Sequence, residues 1–568
     1  MTKTTPPPRE GGGWGEGTPQ GSMMSGGAEA LPPSPCLKGR GCFGLCLDPR
    51  GRSRRLSRNL SGLPARFFSR VAALRGMRAD MSGLGLGALA ALALPPLYVL
   101  PVLLVSFPAL LTLIDAAPRP MVAARRGWWF GFGLNLIGLY WITEAILIEA
   151  ARFWWFVPIA VPALAATLAL FIAAATWAAR FARRGWPRAL TLAGAWVLAD
   201  LARQFVATGF PWNLLGSVWE FPGRLGDVFI QPAAWISIHG LTALTVLLAL
   251  TPALGRRWVL SGVAVLAGWA AFGIVRLDQP MPQAPGLHVV LVQGNVAEGQ
   301  KFDLALRVAI FERYLDLTRE GMARAGPGPA VVVWPETAFP GLLAQDPRAR
   351  QIIMQATGGA PALIGSVRFD RDDRPRNSLF ALTDSGKIDG VYDKWHLVPF
   401  GEYQPDWFPL GIQVVPGGGF ARGPGPRTLQ VAGAPPVGPL ICYEAIFPGE
   451  IVDPGNRPAW LVNITNDAWF GDSSGPRQHL QAARMRAVEE GLPLLRAANT
   501  GITAAFDARG HEFAQIERAV PGVLVVPLPP ALPPTSFARL GLIIPFLLSS
   551  CVFGLGLLAR RRREQSDE

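Results

Sequence analysis

The sequence predicts a polytopic α-helical membrane domain of about eight transmembrane helices joined to an α/β domain. Three observations point there. Half of the 568 residues are hydrophobic and only 16% are charged, which is unusual for a soluble globular chain. The charges are unevenly spread, so long uncharged runs precede a segment of ordinary mixed composition. Within that segment, short β-branched runs alternate with helix-period patterns. The formal net charge is +13, but the arginines gather at the ends of apolar runs, where anionic headgroups and topology account for them. No nucleic-acid partner is expected.

Residues 1–76 are rich in Gly, Pro and Arg and cannot bury a core, so a disordered head is expected there. It has no apolar stretch of the secretory-signal kind. Met77 or Met81, just before the first apolar run, is a candidate start of translation. A membrane domain follows over 77–277. A helix needs about 20 residues to cross about 30 Å of hydrocarbon. On that measure seven spans are expected, near 82–97, 99–116, 127–147, 155–178, 189–206, 226–253 and 258–276. An eighth, 538–558, lies in a segment 538–559 that precedes a basic tail, 560–568, with Arg560 to Arg563. Loops after the second, fourth and sixth spans carry Arg119, Arg125, Arg126, Arg180, Arg183, Arg184, Arg188, Arg256 and Arg257, whereas the alternate loops carry Arg152 and Arg224. The positive side faces the cytoplasm. Both termini therefore fall inside, and the domain 278–537 falls on the outer face. Trp128, Trp129, Trp154 and Trp155 are expected as interfacial belts, and Glu144 and Glu149 as interfacial carboxylates.

In the domain 278–537, the runs HVVLVQG (288–294), AVVVWPE (330–336), ALIGSV (362–367), PLICYE (439–444) and AWLVNIT (459–465) read as buried strands. Segments 303–324 and 476–490 read as helices. The five cysteines make no disulfide framework: Cys36, Cys42 and Cys46 lie in the head, Cys551 in the last apolar run, and Cys442 alone in a globular stretch. Neither they nor the five histidines are spaced as metal ligands, so no metal and no cofactor is expected.

Three ionisable residues stand where strand-like runs end: Glu336 in VVWPETAFP, Lys394 in VYDKWHLVPFGEY and Cys442 in PLICYEAIFP. Strand ends in an α/β domain lie side by side, so distant residues can share a cleft. A thiol, a carboxylate to take its proton and an ammonium facing the developing oxyanion suffice for acyl transfer. Each has an ordinary explanation too: Cys442 as a small buried hydrophobe, Glu336 as a loop carboxylate, Lys394 as a surface cation. His396 offers a Cys–His dyad, but as a near neighbour of Lys394 on an extended segment it points to the opposite face. The segment Asn466–Asp467 with Trp469–Phe470 reads either as a loop bordering the cleft or as a turn with aromatic cover. Gly417 to Gly419 lack the context of a phosphate cradle and read as a flexible arm.

Together, WPET, DKWHLVPFGEY, ICYE, NITNDAWFG (463–471) and QHLQAARMRAVEEGLPLLRAANTGIT (478–503), carried behind seven apolar runs, closely resemble the apolipoprotein N-acyltransferases, the membrane-embedded branch of the nitrilase superfamily. The resemblance covers about 82–563. It implies an α/β nitrilase-like αββα sandwich on an eight-helix base, and a Glu–Lys–Cys triad. Carried onto this sequence, Glu336 is the general acid/base, Lys394 the oxyanion stabiliser and Cys442 the acyl-accepting nucleophile. Glu402 matches the family's auxiliary glutamate, and Tyr443 and Glu444 match pocket residues beside the nucleophile. Where the family usually has Lys-Trp-Asp after the first strand, this chain has Lys301, Phe302 and Asp303. That substitution loses an indole N–H but keeps an apolar ring. The resemblance further implies a phospholipid acyl donor, a diacylglyceryl-apolipoprotein acceptor and multi-pass residence in the inner membrane with the catalytic domain facing the periplasm. A membrane-anchored amidase or nitrilase and a non-catalytic scaffold or transporter are the alternatives. A monomer is expected.

Overall fold

The computed structural model describes residues 62–148, 150–301, 303–405 and 419–559. Residues 1–61, Glu149, Phe302, Gly417, Gly418 and Arg560 to Arg563, each singled out above, lie outside the described residues.

The end of the expected disordered head is a helix, Gly62–Ala73. Its Phe68 and Val71, with Leu74 just beyond, pack on the base's apolar core, a helix-spaced trio that the flanking arginines obscure. Each of the eight apolar runs contributes a helix. The first, Gly76–Ala91, starts earlier than expected and stops before Pro95–Pro96. Then come Leu103–Asp115, Pro120–Gly138, Val157–Ala179, Trp186–Phe205, Ala233–Leu254, Arg256–Leu277 and, after the α/β domain, Ile543–Leu558. Among the described residues, Trp154–Ala179, Ala233–Leu254 and Arg256–Leu277 are long and apolar enough to cross a membrane. Trp154 and Trp155 are exposed, as belt residues would be.

Between apolar helices in lipid, close backbone approach replaces hydrophobic drive. A Cβ at Gly87 would collide with the Phe130 carbonyl, and one at Gly133 with the Leu84 carbonyl. These glycines let Gly76–Ala91 and Pro120–Gly138 touch along their backbones.

The α/β domain holds two six-stranded sheets. The first has the order β12-β1-β2-β3-β4-β5, with β1 His288–Gln293, β2 Ala330–Val333, β3 Ala362–Phe369, β4 Pro375–Leu382, β5 Ile388–Asp393 and β12 Gly522–Pro527. The second has the order β11-β10-β9-β8-β7-β6, with β6 Leu429–Val431, β7 Ala434–Ile441, β8 Trp460–Thr465, β9 Leu494–Ala498, β10 Thr503–Phe506 and β11 Glu512–Ile516. Strands β1–β2–β3 are parallel, as are β7–β8–β9. Alternation along β1 shows the layering: Val289 and Leu291 join Val437, Trp460 and Val462 in the core between the sheets. Val290 and Val292 instead meet Ile310, Tyr314 and Ile353 from helices Arg307–Ala325 and Pro347–Ala356. On the far face, Leu440, Leu461 and Leu494 pack against Leu480, Ala483 and Ala487 of helix Gly475–Glu490. The order is helix, sheet, sheet, helix.

That last helix is also the keel set into the base. Gln478 Oε1 accepts from the indoles of Trp141 (3.1 Å) and Trp212 (2.7 Å), while its Nε2 donates to the Pro95 carbonyl at 3.1 Å. Arg484 pairs with Asp227 at 2.5 Å, both buried. Helix Ala233–Leu254 is broken at Ser237 (φ 63°), and Glu489 Oε1 caps the break, accepting from Ser237 Oγ (2.7 Å) and the Ile238 N–H (2.9 Å).

The glycine contact generates a measurable expectation. Gly87→Val lowers stability by ~1–3 kcal/mol through forced separation of two helices, read by thermal unfolding in detergent. Gly85→Val, in open space two residues away, leaves the melting curve unchanged.

Candidate active site

Glu336, Lys394 and Cys442 lie at strand ends, past β2, β5 and β7. Glu336 follows β2 by three residues, after Trp334 and Pro335, and is 5% exposed. Its Oε1 accepts from Asn377 Nδ2 at 2.7 Å and Lys394 Nζ at 3.3 Å; Oε2 accepts from the Asn466 N–H at 2.9 Å. Lys394 comes directly after β5, is 1% exposed, and donates to Glu402 Oε1 at 2.9 Å. Glu402 is held in turn by the Val398 N–H at 2.8 Å and Asn377 Nδ2 at 3.1 Å. Lys301 is also buried, with Nζ donating to the Glu336 carbonyl at 3.1 Å.

Cys442 is the first residue past β7 and has φ 50°, a left-handed conformation that a residue with a side chain adopts only when its surroundings enforce it. Thr337, Phe400 and Asp467, beside other site residues, share it at φ 46°, 64° and 49°. Glu444, fully buried, accepts from the Ile441 N–H (2.6 Å), the Trp395 N–H (2.7 Å) and the Tyr392 hydroxyl (2.9 Å). One carboxylate thus ties the segment carrying Cys442 to the one carrying Lys394. Tyr443 donates its hydroxyl to the Gly209 carbonyl of the base at 2.9 Å. Both residues brace the turn that carries Cys442.

The electrostatics separate the two protonatable partners. Burial alone would raise Glu336, but the Lys394 and Lys301 ammonium groups and the Asn377 hydrogen bond outweigh it and hold the carboxyl below its ordinary value. Burial would lower Lys394; Glu336 and Glu402 reverse that and keep it charged. The Cys442 thiol is pushed up, by burial first and then by the Glu336 charge, against the pull of Lys394. At neutral pH the site holds a carboxylate, an ammonium and a neutral thiol. Glu444 is pushed up to about 7 by burial.

His396 lies elsewhere: its Nε2 meets Glu450 at 2.8 Å and its ring stacks on Phe447 at 3.7 Å. Glu144 sits against Gly471, where a Cβ would come within 2.5 Å of its Oε2. Asn466 and Asp467 border the site, as the loop reading expected. Sequence reasoning missed Asn377, a polar residue in a strand with no motif around it. It also missed His479 and Arg496. Sγ of Cys442 lies within 4.8 Å of an Asp467 oxygen and a His479 ring nitrogen. Both of those imidazole nitrogens and both of those carboxylate oxygens have hydrogen-bond partners in the surrounding protein.

Lys394→Met leaves Glu336 and Glu402 buried without their cation and costs ~3–5 kcal/mol of stability, read by thermal unfolding. Adding Glu336→Gln recovers part of that loss. An unshifted melting curve for the single variant contradicts the ion-cluster picture.

The family profile described as apolipoprotein N-acyltransferase N-terminal domain matches residues 86–251, and that described as carbon-nitrogen hydrolase matches 290–532. The apolipoprotein N-acyltransferase of Rhodopseudomonas palustris is 40% identical over 532 residues, covering 88% of this chain and 98% of that protein. The enzyme of the same name from Brucella melitensis is 39% identical over 533 residues, covering 88% and 99%. A solved amidase from Nesterenkonia sp. is 17% identical over 44% of this chain and 94% of its own, with a TM-score of 0.33, too low to weigh in the assignment. The two profiles meet in one chain in the same order as the helical base and the two-sheet domain, and the chain belongs to the apolipoprotein N-acyltransferase family.

Proposed function

We propose that this protein transfers a fatty acyl group from a membrane phospholipid to the α-amino group of the diacylglyceryl-cysteine that begins an apolipoprotein. The observation that carries the reading is one buried cluster, Glu336–Lys394–Glu402, whose Glu336 and Lys394 charges act on the buried Cys442 thiol, in a chain of this family.

The residues take these roles. Glu336 accepts the Cys442 proton as sulfur attacks the ester carbonyl carbon, and the Lys394 ammonium with a backbone N–H after Cys442 faces the oxyanion. Collapse breaks the ester C–O bond. Glu336 returns the proton to the departing glycerol oxygen, leaving lysophospholipid and a Cys442 thioester. The acceptor amine then attacks, Glu336 takes its proton, and collapse expels the Cys442 sulfur, which is reprotonated from Glu336. Glu402 keeps Lys394 charged and in place. The kinetics are ping-pong.

The arginine asymmetry of the loops supports eight membrane spans with both termini cytoplasmic and domain 278–537 in the periplasm, at the inner membrane. A site at headgroup level suits substrates whose acyl chains would each lose ~0.8 kcal/mol per CH₂ drawn into water. The seam through Tyr443 and Gln478 supports that placement, since it holds the nucleophile's domain against the base.

Mass spectrometry of the protein purified from membranes tests this. A fatty-acyl mass is expected on the Cys442 peptide, discharged by a lipopeptide amine and absent in Cys442→Ala. Discharge to free fatty acid with no N-acylated product points to a hydrolase instead. Full activity in Cys442→Ala ends the scheme.

The pH dependence of thioester formation follows from the shifts. Glu336 is ionised down to below its ordinary value and Lys394 stays protonated above its own. The rate therefore holds from about pH 5 to about pH 9, and on the acid side falls only below the ordinary carboxylate value of about 4.3. A rate-limiting transition near pH 7 would assign the base to another group.

A further inference from the structure

We propose that His479 is a positioning residue that holds the nucleophile turn through the carbonyl of Cys442; the inference rests on the acyl-transfer reading of Cys442. The turn needs such a partner. Cys442 sits at φ 50°, which costs on the order of 1–2 kcal/mol for a residue with a Cβ. Glu444 fixes the residue before it through the Ile441 N–H, and Tyr443 fixes the residue after it through its hydroxyl. Cys442's own peptide group is held by His479, whose Nε2 lies 2.9 Å from the carbonyl oxygen. A carbonyl only accepts, so Nε2 carries the proton and donates. With that nitrogen committed to the main chain, His479 is not a base for the thiol.

The ring is itself locked. It is fully buried in the second turn of helix Gly475–Glu490, directly after Gln478, which two base tryptophans hold. Nδ1 lies 2.8 Å from Asp467 Oδ1, which also accepts from Thr465 Oγ1 at 2.8 Å. Asp467 Oδ2 accepts from Arg496 Nη2 at 2.5 Å. The same guanidinium nitrogen stands 3.1 Å from His479 Nδ1, but Asp467 is its nearer partner. Arg496 also bonds Asn463 Oδ1, and Asn463 Nδ2 donates to the Leu440 carbonyl at 3.1 Å, two residues before Cys442. A closed ring of buried polar contacts thereby joins the ends of β7, β8 and β9 to one helix. None of its members belongs to the Glu336–Lys394–Glu402 cluster. A Cβ at residue 501 would collide with the Asp467 carboxylate, so Gly501 leaves the ring its room.

Gln and Met have similar length, and only Gln can donate. The test compares His479→Gln with His479→Met in the full chain in phospholipid vesicles. It reads single-turnover acylation of Cys442, its dependence on phospholipid concentration, and the melting temperature. His479→Met is expected to slow maximal acylation about 10²-fold, the scale for a reacting group displaced by about 1 Å, with half-saturating phospholipid unchanged. His479→Gln is expected to restore most of the rate. Equal rates in two folded variants overturn the inference while wild-type acylation still upholds the acyl-transfer reading. Absence of acylation in the wild type removes both. Should His479→Met not fold, the Gln variant decides: a folded Gln protein as inert as Cys442→Ala overturns the role.

Discussion

Keeping an ammonium and two carboxylates charged inside a protein is the constraint on which this architecture turns. Removing such groups from water costs several kcal/mol each, and mutual attraction offsets that only when the remaining lone pairs and protons are also satisfied. Here Lys394 stands between Glu336 and Glu402, Asn377 bridges both carboxylates, and the Asn466 and Val398 N–H groups take further lone pairs. These partners come from the ends of β2, β4, β5 and β8 and from the loop after β5. The cluster is complete only when those ends are held in register. Left-handed residues at 337, 400, 442 and 467 are the local cost of turning each chain sharply enough to reach it.

Register at the second sheet depends on a helix that would not be stable alone. Gly475–Glu490 carries Arg477, Gln478, His479, Gln481, Arg484, Arg486, Glu489 and Glu490, yet most of it is buried. A polar helix survives burial when its neighbours answer each group. Some answers come from the base, through Trp141, Trp212, Asp227 and Ser237, and some from the sandwich, through Asp467 and the Cys442 carbonyl. The helix therefore couples the two parts of the protein mechanically. These hydrogen bonds stand beside an apolar contact in which Leu139, Trp141 and Trp212 of the base pack on Tyr443, Ile446 and Phe447 after Cys442.

Five of the six parallel strands, β1, β2, β3, β7 and β8, were legible because burial on both faces writes a continuous β-branched run, as in HVVLVQ and AVVV. Strands β4 and β9 were not, since Asn377 and Arg496 serve buried polar partners and break the apolar pattern. The positions of Glu336, Lys394 and Cys442 at strand ends could be read from the sequence. Asn377 and His479 could not, because hydrogen bonds to a carboxylate or a carbonyl leave no periodic trace. The helix Gly62–Ala73 escaped notice for a related reason: the residues seen packing on the core, Phe68 and Val71 with Leu74 just beyond, sit among arginines.

The charge state of the site also shapes its chemistry. A thiol raised by burial contributes almost no thiolate at rest, which spares the interior a further anion beside Glu336. It also makes the sulfur a stronger nucleophile once deprotonated, because nucleophilicity falls with pKa. Glu336, held low by Lys394 and Lys301, is too weak a base to deprotonate such a thiol in a separate step. In the proposed acyl transfer, proton transfer is therefore coupled to attack, as the charge that leaves sulfur would appear on the oxyanion facing Lys394. On that proposal the site would stay inert until an acyl carbonyl occupies it, because the resting thiol is held neutral.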